Sequence, residues 1–167
     1  MAERYVIGQK VSEKLTEIIV NEYDDAIYID VNDTSFMNKV IDLFQWFDLI
    51  QVKINRLQTE YEKEVKNINM PDEVEELMAK PEILNIHKKY NTEIISLHRE
   101  ICEKFDEVFG KGTIRKYFRK LYEAFGDEWV PDTECIEDFI EEIIPVIEKL
   151  FENRKASIRR RYTKKKK

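Results

Sequence analysis

A heptad pattern of apolar residues dominates the stretch between residues 33 and 68. Its apolar positions recur in steps of four and three, the spacing of a seam along one side of an α-helix. The seam consists of Phe36, Val40, Leu43, Phe47, Ile50, Ile54, Leu57 and Tyr61. Asp33, Thr34 and Ser35 precede it and offer side-chain oxygens that can cap the helix start. The pattern predicts a helix roughly 50 Å long, and its seam needs a second element to cover it.

A second long helix is predicted between Pro81 and Gly110. Proline suits a first helical turn, and glycine suits a left-handed position just after a helix. The apolar face of this helix consists of Ile83, Ile86, Tyr90, Ile94, Leu97, Ile101, Phe105 and Val108. A break is expected at Pro71, followed by a short acidic helix over residues 71–80. Because this connection is of moderate length, we expect the two long helices to pack antiparallel.

Two further amphipathic helices are predicted downstream. The first covers residues 113–125, and Gly126 ends it. Its apolar stripe consists of Ile114, Tyr117, Phe118, Leu121, Tyr122 and Phe125, and its opposite face carries Arg115, Lys116, Arg119 and Lys120. The second begins at Asp132 or Thr133, and Pro145 is expected to kink it. Its inward positions are Ile136, Phe139, Ile140, Ile143, Ile144, Ile147, Leu150 and Phe151.

The N-terminal residues 4–31 have a different pattern, rich in β-branched side chains. They predict two or three short strands with a hairpin turn near Gly8 or around residues 22–25. A helix over residues 11–20 is the alternative, because apolar side chains there also fit one helical face. The strand over residues 26–31 is better supported, since its apolar residues alternate with polar ones.

The composition agrees with a mainly α fold. Hydrophobic residues make up 43% and charged residues 37%, with only four Gly and four Pro, a combination typical of a helical protein with a wide solvated surface. We therefore predict a long antiparallel helix pair plus two shorter amphipathic helices, with a small N-terminal β element. Residues 1–153 are expected to form a single helical domain, of which residues 4–31 are the β element.

A basic tail follows this domain at residues 154–167. It contains nine of the 28 Lys and Arg residues and no acidic residue, which leaves 19 basic against 34 acidic residues in the rest of the chain. We expect this tail to be frayed helix and then disordered. It can attract nucleic acid, an anionic membrane or an acidic protein surface, fold back on the acidic body of the chain, or serve only as a solubilising terminus. The candidate partner-binding residues are Arg154, Lys155, Arg159, Arg160, Arg161, Lys164, Lys165, Lys166 and Lys167.

Cellular location and oligomeric state are constrained less strongly. Cys102 and Cys135 are far apart in sequence and are expected to be free thiols in a reducing cytoplasm. The N-terminus has no apolar targeting region, and no run reaches the roughly 18 apolar residues of a membrane span, so we expect a cytoplasmic protein without a membrane partner. Heptad seams can close within one chain or between chains, so a homo-oligomer remains an alternative to a monomer.

The glycine-rich loop FGKGT at residues 109–113 could carry chemistry. Two glycines beside Lys111 before a helix start can cradle a phosphate. No Walker spacing follows, and no strand precedes the loop. We favour a structural interpretation, in which Gly110 caps one helix, a tight turn follows, and Thr113 is the N-cap of the next helix.

A metal or nucleophile site is the other chemical possibility. His98 and Cys102 are four residues apart on one helix face, and His87 and Cys135 are candidate further ligands of zinc. No paired-cysteine or HExxH motif supports this site, and nothing marks an acid that would orient a Cys–His pair. We favour partly buried core side chains. The sequence therefore predicts no catalytic residue, no metal and no cofactor.

Three stretches together resemble small proteins encoded in tail-assembly regions of phages and prophages of Gram-positive bacteria, including tail assembly chaperone-like proteins. They are IYIDVNDTSFMNKVIDLF (27–44), FDEVFGKGTIRKYF (105–118) and FIEEIIPVIEKLFENRKASIRRRY (139–162). The resemblance implies a non-enzymatic protein that binds another phage protein, such as the tape-measure protein, in the cytoplasm of the bacterial host. The alternative is a nucleic-acid-binding or host-inhibiting regulator that acts through the basic tail.

Overall fold

The computed structural model describes residues 3–7, 15–67, 75 and 78–165, with side chains described as far as Asn153. Along these residues the elements are β1 (Thr16–Ile19), β2 (Ala26–Ile29), α1 (Phe36–Asn67), α2 (Pro81–Phe109), α3 (Thr113–Tyr117), α4 (Arg119–Phe125) and α5 (Thr133–Lys165). The predicted mainly α fold is confirmed, with two long helices packed together and a small two-stranded sheet near the N-terminus. No helix in the described part of the chain is long and apolar enough to cross a lipid bilayer.

The predicted seam of α1 is buried along most of its length. The fully buried side chains are Phe36, Val40, Leu43, Phe47, Ile50 and Ile54, whereas Leu57 and Tyr61 are half-buried. The ring of Phe36 lies 6.1 Å from Phe109, and the ring of Tyr61 lies 5.6 Å from Tyr90. The start of α1 therefore faces the end of α2, and the two helices run antiparallel.

Phe105 on α2 lies where three helices meet. It is 0% exposed, and its ring centroid lies 5.7 Å from Phe47 on α1 and 6.0 Å from Phe139 on α5. Phe44 and Phe109 complete the group at 6.4 and 6.2 Å. Offset and edge-to-face ring pairs of this kind add to the free energy of apolar burial. This aromatic cluster is the centre of the core.

The last helix, α5, extends into the basic tail. It runs for 33 residues and continues through Pro145 to Lys165, where no further Gly or Pro interrupts it. Its buried residues Phe139 and Ile143 face the core, and Phe151 stacks on Phe36 at 6.3 Å. The kink at Pro145 and the disorder of the basic tail stay predictions.

The helix predicted over residues 113–125 is wrong in one respect, because it is divided into α3 and α4 at Phe118. Phe118 has φ −94° and ψ 22°, outside the helical range. In an unbroken helix the Lys116 carbonyl would accept the N–H four residues later, but here it accepts the side-chain amide of Asn21 at 2.8 Å. The division changes the helical phase after Phe118. Phe125, which the apolar stripe placed on the inward face, is 65% exposed.

The N-terminal strands form an antiparallel hairpin in which Ile18 lies opposite Ile27. Strand β1 shows that residues 16–19 are not helical, which removes the helical alternative for that part. The turn follows from Asn21, whose side-chain oxygen accepts the N–H groups of Tyr23 and Asp25 at 2.8 and 3.2 Å. The predicted turn around residues 22–25 is confirmed. The alternative turn at Gly8 and most of the acidic helix over residues 71–80 lie outside the described residues.

Replacing Phe105 with Ala should lower the free energy of unfolding by about 3–5 kcal/mol, because it leaves a cavity between three helices. Urea denaturation followed by circular dichroism measures the change. Leu49→Ala on the outer side of α1 is the matched control, since Leu49 is 70% exposed and its loss should cost less than about 0.5 kcal/mol. Equal effects of the two substitutions would contradict the placement of the core.

Candidate functional site

The glycine-rich loop between α2 and α3 already holds an anion from its own chain. The Asp106 carboxylate accepts the N–H groups of Gly112 and Ile114 at 3.2 and 3.0 Å. Burial raises the pKa of Asp106, and these N–H donors oppose that rise by favouring the charged form. A phosphate at this helix start would have to displace this carboxylate. The structural interpretation of the loop therefore fits the geometry better than the phosphate cradle.

Two details of that interpretation are corrected. Gly110 ends α2 with φ 116° and ψ 146°, so its φ is positive but its conformation is not left-handed helical. Gly112, with φ 80° and ψ 7°, is the N-cap of α3 in place of Thr113. The buried Thr113 hydroxyl donates instead to the Gly110 carbonyl at 2.6 Å.

The histidines and cysteines do not converge on a metal position. Cys102 and Cys135 pack against the apolar core, and burial raises the pKa of Cys102 to about 12 and that of Cys135 to about 11. Burial lowers the pKa of His98. His87 lies against Tyr61, whose hydroxyl is 2.6 Å from a ring nitrogen. Within the described ranges, no three His, Cys, Asp or Glu side chains are placed to hold a metal ion.

A charged pocket of about 420 Å³ lies between the hairpin turn and the α3–α4 segment. This charged pocket is lined by Asp25, Gly112, Arg115, Lys116, Arg119, Tyr122, Glu123 and Asp127. It contains three cationic and three anionic side chains, so its net charge is close to zero. The periodicity of residues 113–125 predicted that the cationic residues lie on the outer face of a helix. Nothing in the sequence indicated that the hairpin turn would lie next to them.

The cations of the charged pocket are already paired. Arg119 donates to Asp25 at 3.0 Å and to Glu123 at 2.9 Å, and Arg115 pairs with Asp127. Lys116 Nζ donates to the Ala26 carbonyl at 3.1 Å. The hydrogen bond from Asn21 and the Arg119 guanidinium hold the pKa of Asp25 below its usual range. These contacts attach the hairpin to the helices, and both arginines of the charged pocket are already engaged by carboxylates.

The basic tail has a described backbone over most of its length. Residues 154–165 continue α5 as a helix, whereas Lys166 and Lys167 lie outside the described residues. Contact of the nine basic side chains with a partner stays a prediction.

Exposed apolar side chains are most frequent in the N-terminal part of the described chain, on the hairpin and on the residues that precede it. Among the described residues, seven of the thirteen exposed large apolar side chains lie between residues 3 and 28. We call this group the hairpin end, and it consists of Tyr5, Val6, Ile7, Leu15, Ile19, Tyr23 and Tyr28. Successive side chains of β2 point to opposite faces, so that Ile27 and Ile29 are buried while Tyr28 is 57% exposed. The register places Ile19 and Tyr28 on the same outer face of the hairpin, and exposed apolar side chains on one face are typical of a binding site for another protein.

Comparisons with known proteins give no relative for this chain. No family model matches it, and neither the curated proteins nor the solved structures contain a match.

The two thiols should react slowly in the folded protein. The pKa of Cys102 is about 12 in place of 9.0, so its thiolate fraction at pH 8 is lower by about three orders of magnitude. Labelling with iodoacetamide, followed by mass spectrometry, should therefore be slow in buffer and fast in urea. A Leu49→Cys variant adds an exposed thiol as the control. Labelling of Cys102 as fast as that of the added cysteine would contradict its burial.

Proposed function

We propose that this protein is a non-enzymatic assembly factor that acts by binding another protein at the hairpin end. The observation that carries the proposal is the concentration of exposed apolar side chains there. Burying each Å² of apolar surface stabilises a complex by roughly 25 cal/mol before the costs of association. The hairpin end offers such surface on a strand pair, where a partner can also form backbone hydrogen bonds.

The attachment of the hairpin supports the same role. Its inner face is fixed by the buried Ile27 and Ile29, and its turn is held by Asp25, Arg119 and Lys116. A surface that is already ordered loses less conformational entropy when a partner binds. The charged pocket therefore contributes to function by positioning the hairpin, and its paired charges need not take part in chemistry.

The sequence resemblance indicates which partner to look for. Tail assembly chaperone-like proteins of phages and prophages bind another phage protein, so we propose a structural or assembly protein of a phage tail, such as the tape-measure protein. In this proposal the complex forms in the cytoplasm of the bacterial host. Tyr28 on β2 and Ile19 on β1 form the part of the surface that a partner would cover.

Tyr28→Glu should abolish recovery of a tail protein in a pull-down from phage-infected or prophage-induced cells. A carboxylate at this position would be desolvated by an apolar partner, at a cost larger than the contact provides. Because Tyr28 is 57% exposed, the substitution should leave the fold intact, as circular dichroism can check.

Leu49→Glu is the matched control, since Leu49 is also exposed but lies on α1 away from the hairpin. It should recover the same partner as the unsubstituted protein. Failure of the unsubstituted protein to recover any virion or tail protein would contradict the proposal. Equal recovery with Tyr28→Glu would move the binding site away from the hairpin end.

A second candidate function is nucleic-acid binding through the basic tail. Its specific support is the continuation of α5 to Lys165, which presents residues 154–165 on one helix of about 18 Å. A basic helix of this length can follow a phosphate backbone, and its attraction would be strongest at low salt.

Replacing the nine basic residues of the tail with Gln separates the two functions. If the tail binds nucleic acid, the affinity of the unsubstituted protein should fall steeply with salt, with a logarithmic slope of about −0.7 to −0.9 for each phosphate contacted. The Gln variant should then lose nucleic-acid binding and retain the tail protein. Fluorescence anisotropy with labelled DNA and RNA measures the slope, and a flat salt dependence would contradict this candidate.

A further inference from the structure

The outer edge of β1 is open in the described part of the chain. Val20 donates to the Asp25 carbonyl at 2.8 Å, so Val20 and Ile18 direct their backbone groups towards β2. In an antiparallel pair the alternate residues direct theirs the other way, which places the backbone groups of Glu17 and Ile19 at the outer edge. The sheet has two strands in the order β1–β2, and no described residue forms a third strand beside β1.

The outer edge of β2 differs, because a side chain from α3 reaches it. Lys116 Nζ donates to the Ala26 carbonyl at 3.1 Å, and Ala26 lies opposite Ile19 in the register. One edge of the hairpin is therefore contacted by a side chain of its own chain, and as far as residues 3–7, 15–67 and 78–165 are concerned the other edge is available for a further strand. Open strand edges are the usual places at which a sheet accepts a segment from another chain.

An apolar groove runs beside this open edge. It has a volume of about 150 Å³ and lies between β1, Tyr117 on α3 and the middle of α5. Its lining is mainly apolar, with Ile18, Ile19, Phe139 and Ile143, and the side chain of Glu142 also borders it. A cavity of this volume can hold a benzene ring, so it has space for one branched aliphatic or aromatic side chain.

A segment suited to that edge and groove exists in the same chain. Tyr5, Val6 and Ile7 are three consecutive residues that favour strands, and their side chains are 81%, 63% and 94% exposed. They belong to neither a helix nor a strand, and Tyr5 makes its hydrogen bond to Glu3, within the same segment. We call residues 3–7 the N-terminal arm. Among the described residues the sheet consists of β1 and β2 alone, so the arm is not one of its strands.

We propose that the N-terminal arm of one copy adds as a third strand to the open edge of β1 in a second copy, and that the second copy returns the same contact. The backbone groups of Glu17 and Ile19 pair with the arm, and an apolar arm side chain enters the groove. A reciprocal exchange closes as a symmetric dimer. This inference rests on the proposed protein-binding role of the hairpin end and names one partner for it.

The choice of a second copy follows from the exposure of the arm. The arm has no strand structure and is not part of the sheet formed by β1 and β2, so it does not pair with its own β1, and its Ile7 side chain is 94% exposed. Exchange of arms covers both the outer edge of β1 and the three consecutive exposed apolar side chains of the arm. It thereby also removes a template for open-ended aggregation.

Sedimentation velocity of the purified full chain over a range of concentrations tests the proposal. The average mass should rise from 20.2 kDa towards twice that value as concentration increases. Ile7→Asp in the arm and Ile19→Asp at the edge should each weaken association by about tenfold or more, because each places a charge in a buried strand contact. Leu49→Asp, an exposed apolar position on α1, is the control and should leave association unchanged.

Mixing the two variants gives a more specific readout. The Ile7→Asp variant keeps an intact edge, and the Ile19→Asp variant keeps an intact arm, so the mixture should regain part of the association through one arm–edge contact. A mass of 20.2 kDa at every concentration would overturn the proposal. So would association insensitive to Ile7→Asp, or amide protection of the arm in the dilute monomer, which would mean that the arm pairs with its own hairpin.

These results are independent of the test of the proposed function. Self-association is measured on the purified chain alone, whereas the pull-down measures recovery of a tail protein. A strictly monomeric protein whose Tyr28→Glu variant loses the tail protein would overturn only the arm exchange. A dimer that recovers no tail protein would overturn only the proposed function.

Discussion

Burial of the Phe105 ring at the junction of three helices is the interaction on which the rest of the structure depends. The seam of α1 is too long to be covered by one short element, and it is completed by α2 along its length and by α5 across its first half. The rings of Phe47 on α1 and Phe139 on α5 both contact Phe105 on α2, so this one ring links all three helices. The hairpin then packs on the finished core through Ile27 and Ile29.

The hairpin combines firm attachment with an apolar outer surface. Asn21 links its turn to the carbonyl of Lys116, 95 residues away in sequence, and Arg119 adds an ion pair to Asp25. Polar groups of the hairpin turn are therefore bonded to polar groups at the break between α3 and α4. Within the described part of the chain, the outer edge of β1 is unpaired and lies on a hairpin whose outer face exposes apolar side chains. This is the arrangement expected of a surface that presents a preformed strand to another chain.

The sequence predicted those features that depend on local periodicity. The heptad spacing identified the buried residues of α1, and the stripe on α2 placed Phe105 inward. The division at Phe118 was not predictable in the same way, because it depends on Asn21, which is distant in sequence. The sequence also did not indicate that Asp106 caps α3, because Asp106 lies on α2 and not beside the start of α3. Its carboxylate accepts the N–H groups that a phosphate or a threonine cap would otherwise bind. Alternation indicated two faces for the hairpin but not how much of each the helices would cover.

The central claim is that the protein acts by placing its hairpin end against another polypeptide. The most direct measurement is photo-crosslinking in the host cell from a benzophenone amino acid at position 28, compared with the same group at position 49. We expect a crosslinked polypeptide, either a second copy or a tail protein, from position 28 and none from position 49. Crosslinking from position 49 alone, or from neither position, would contradict it.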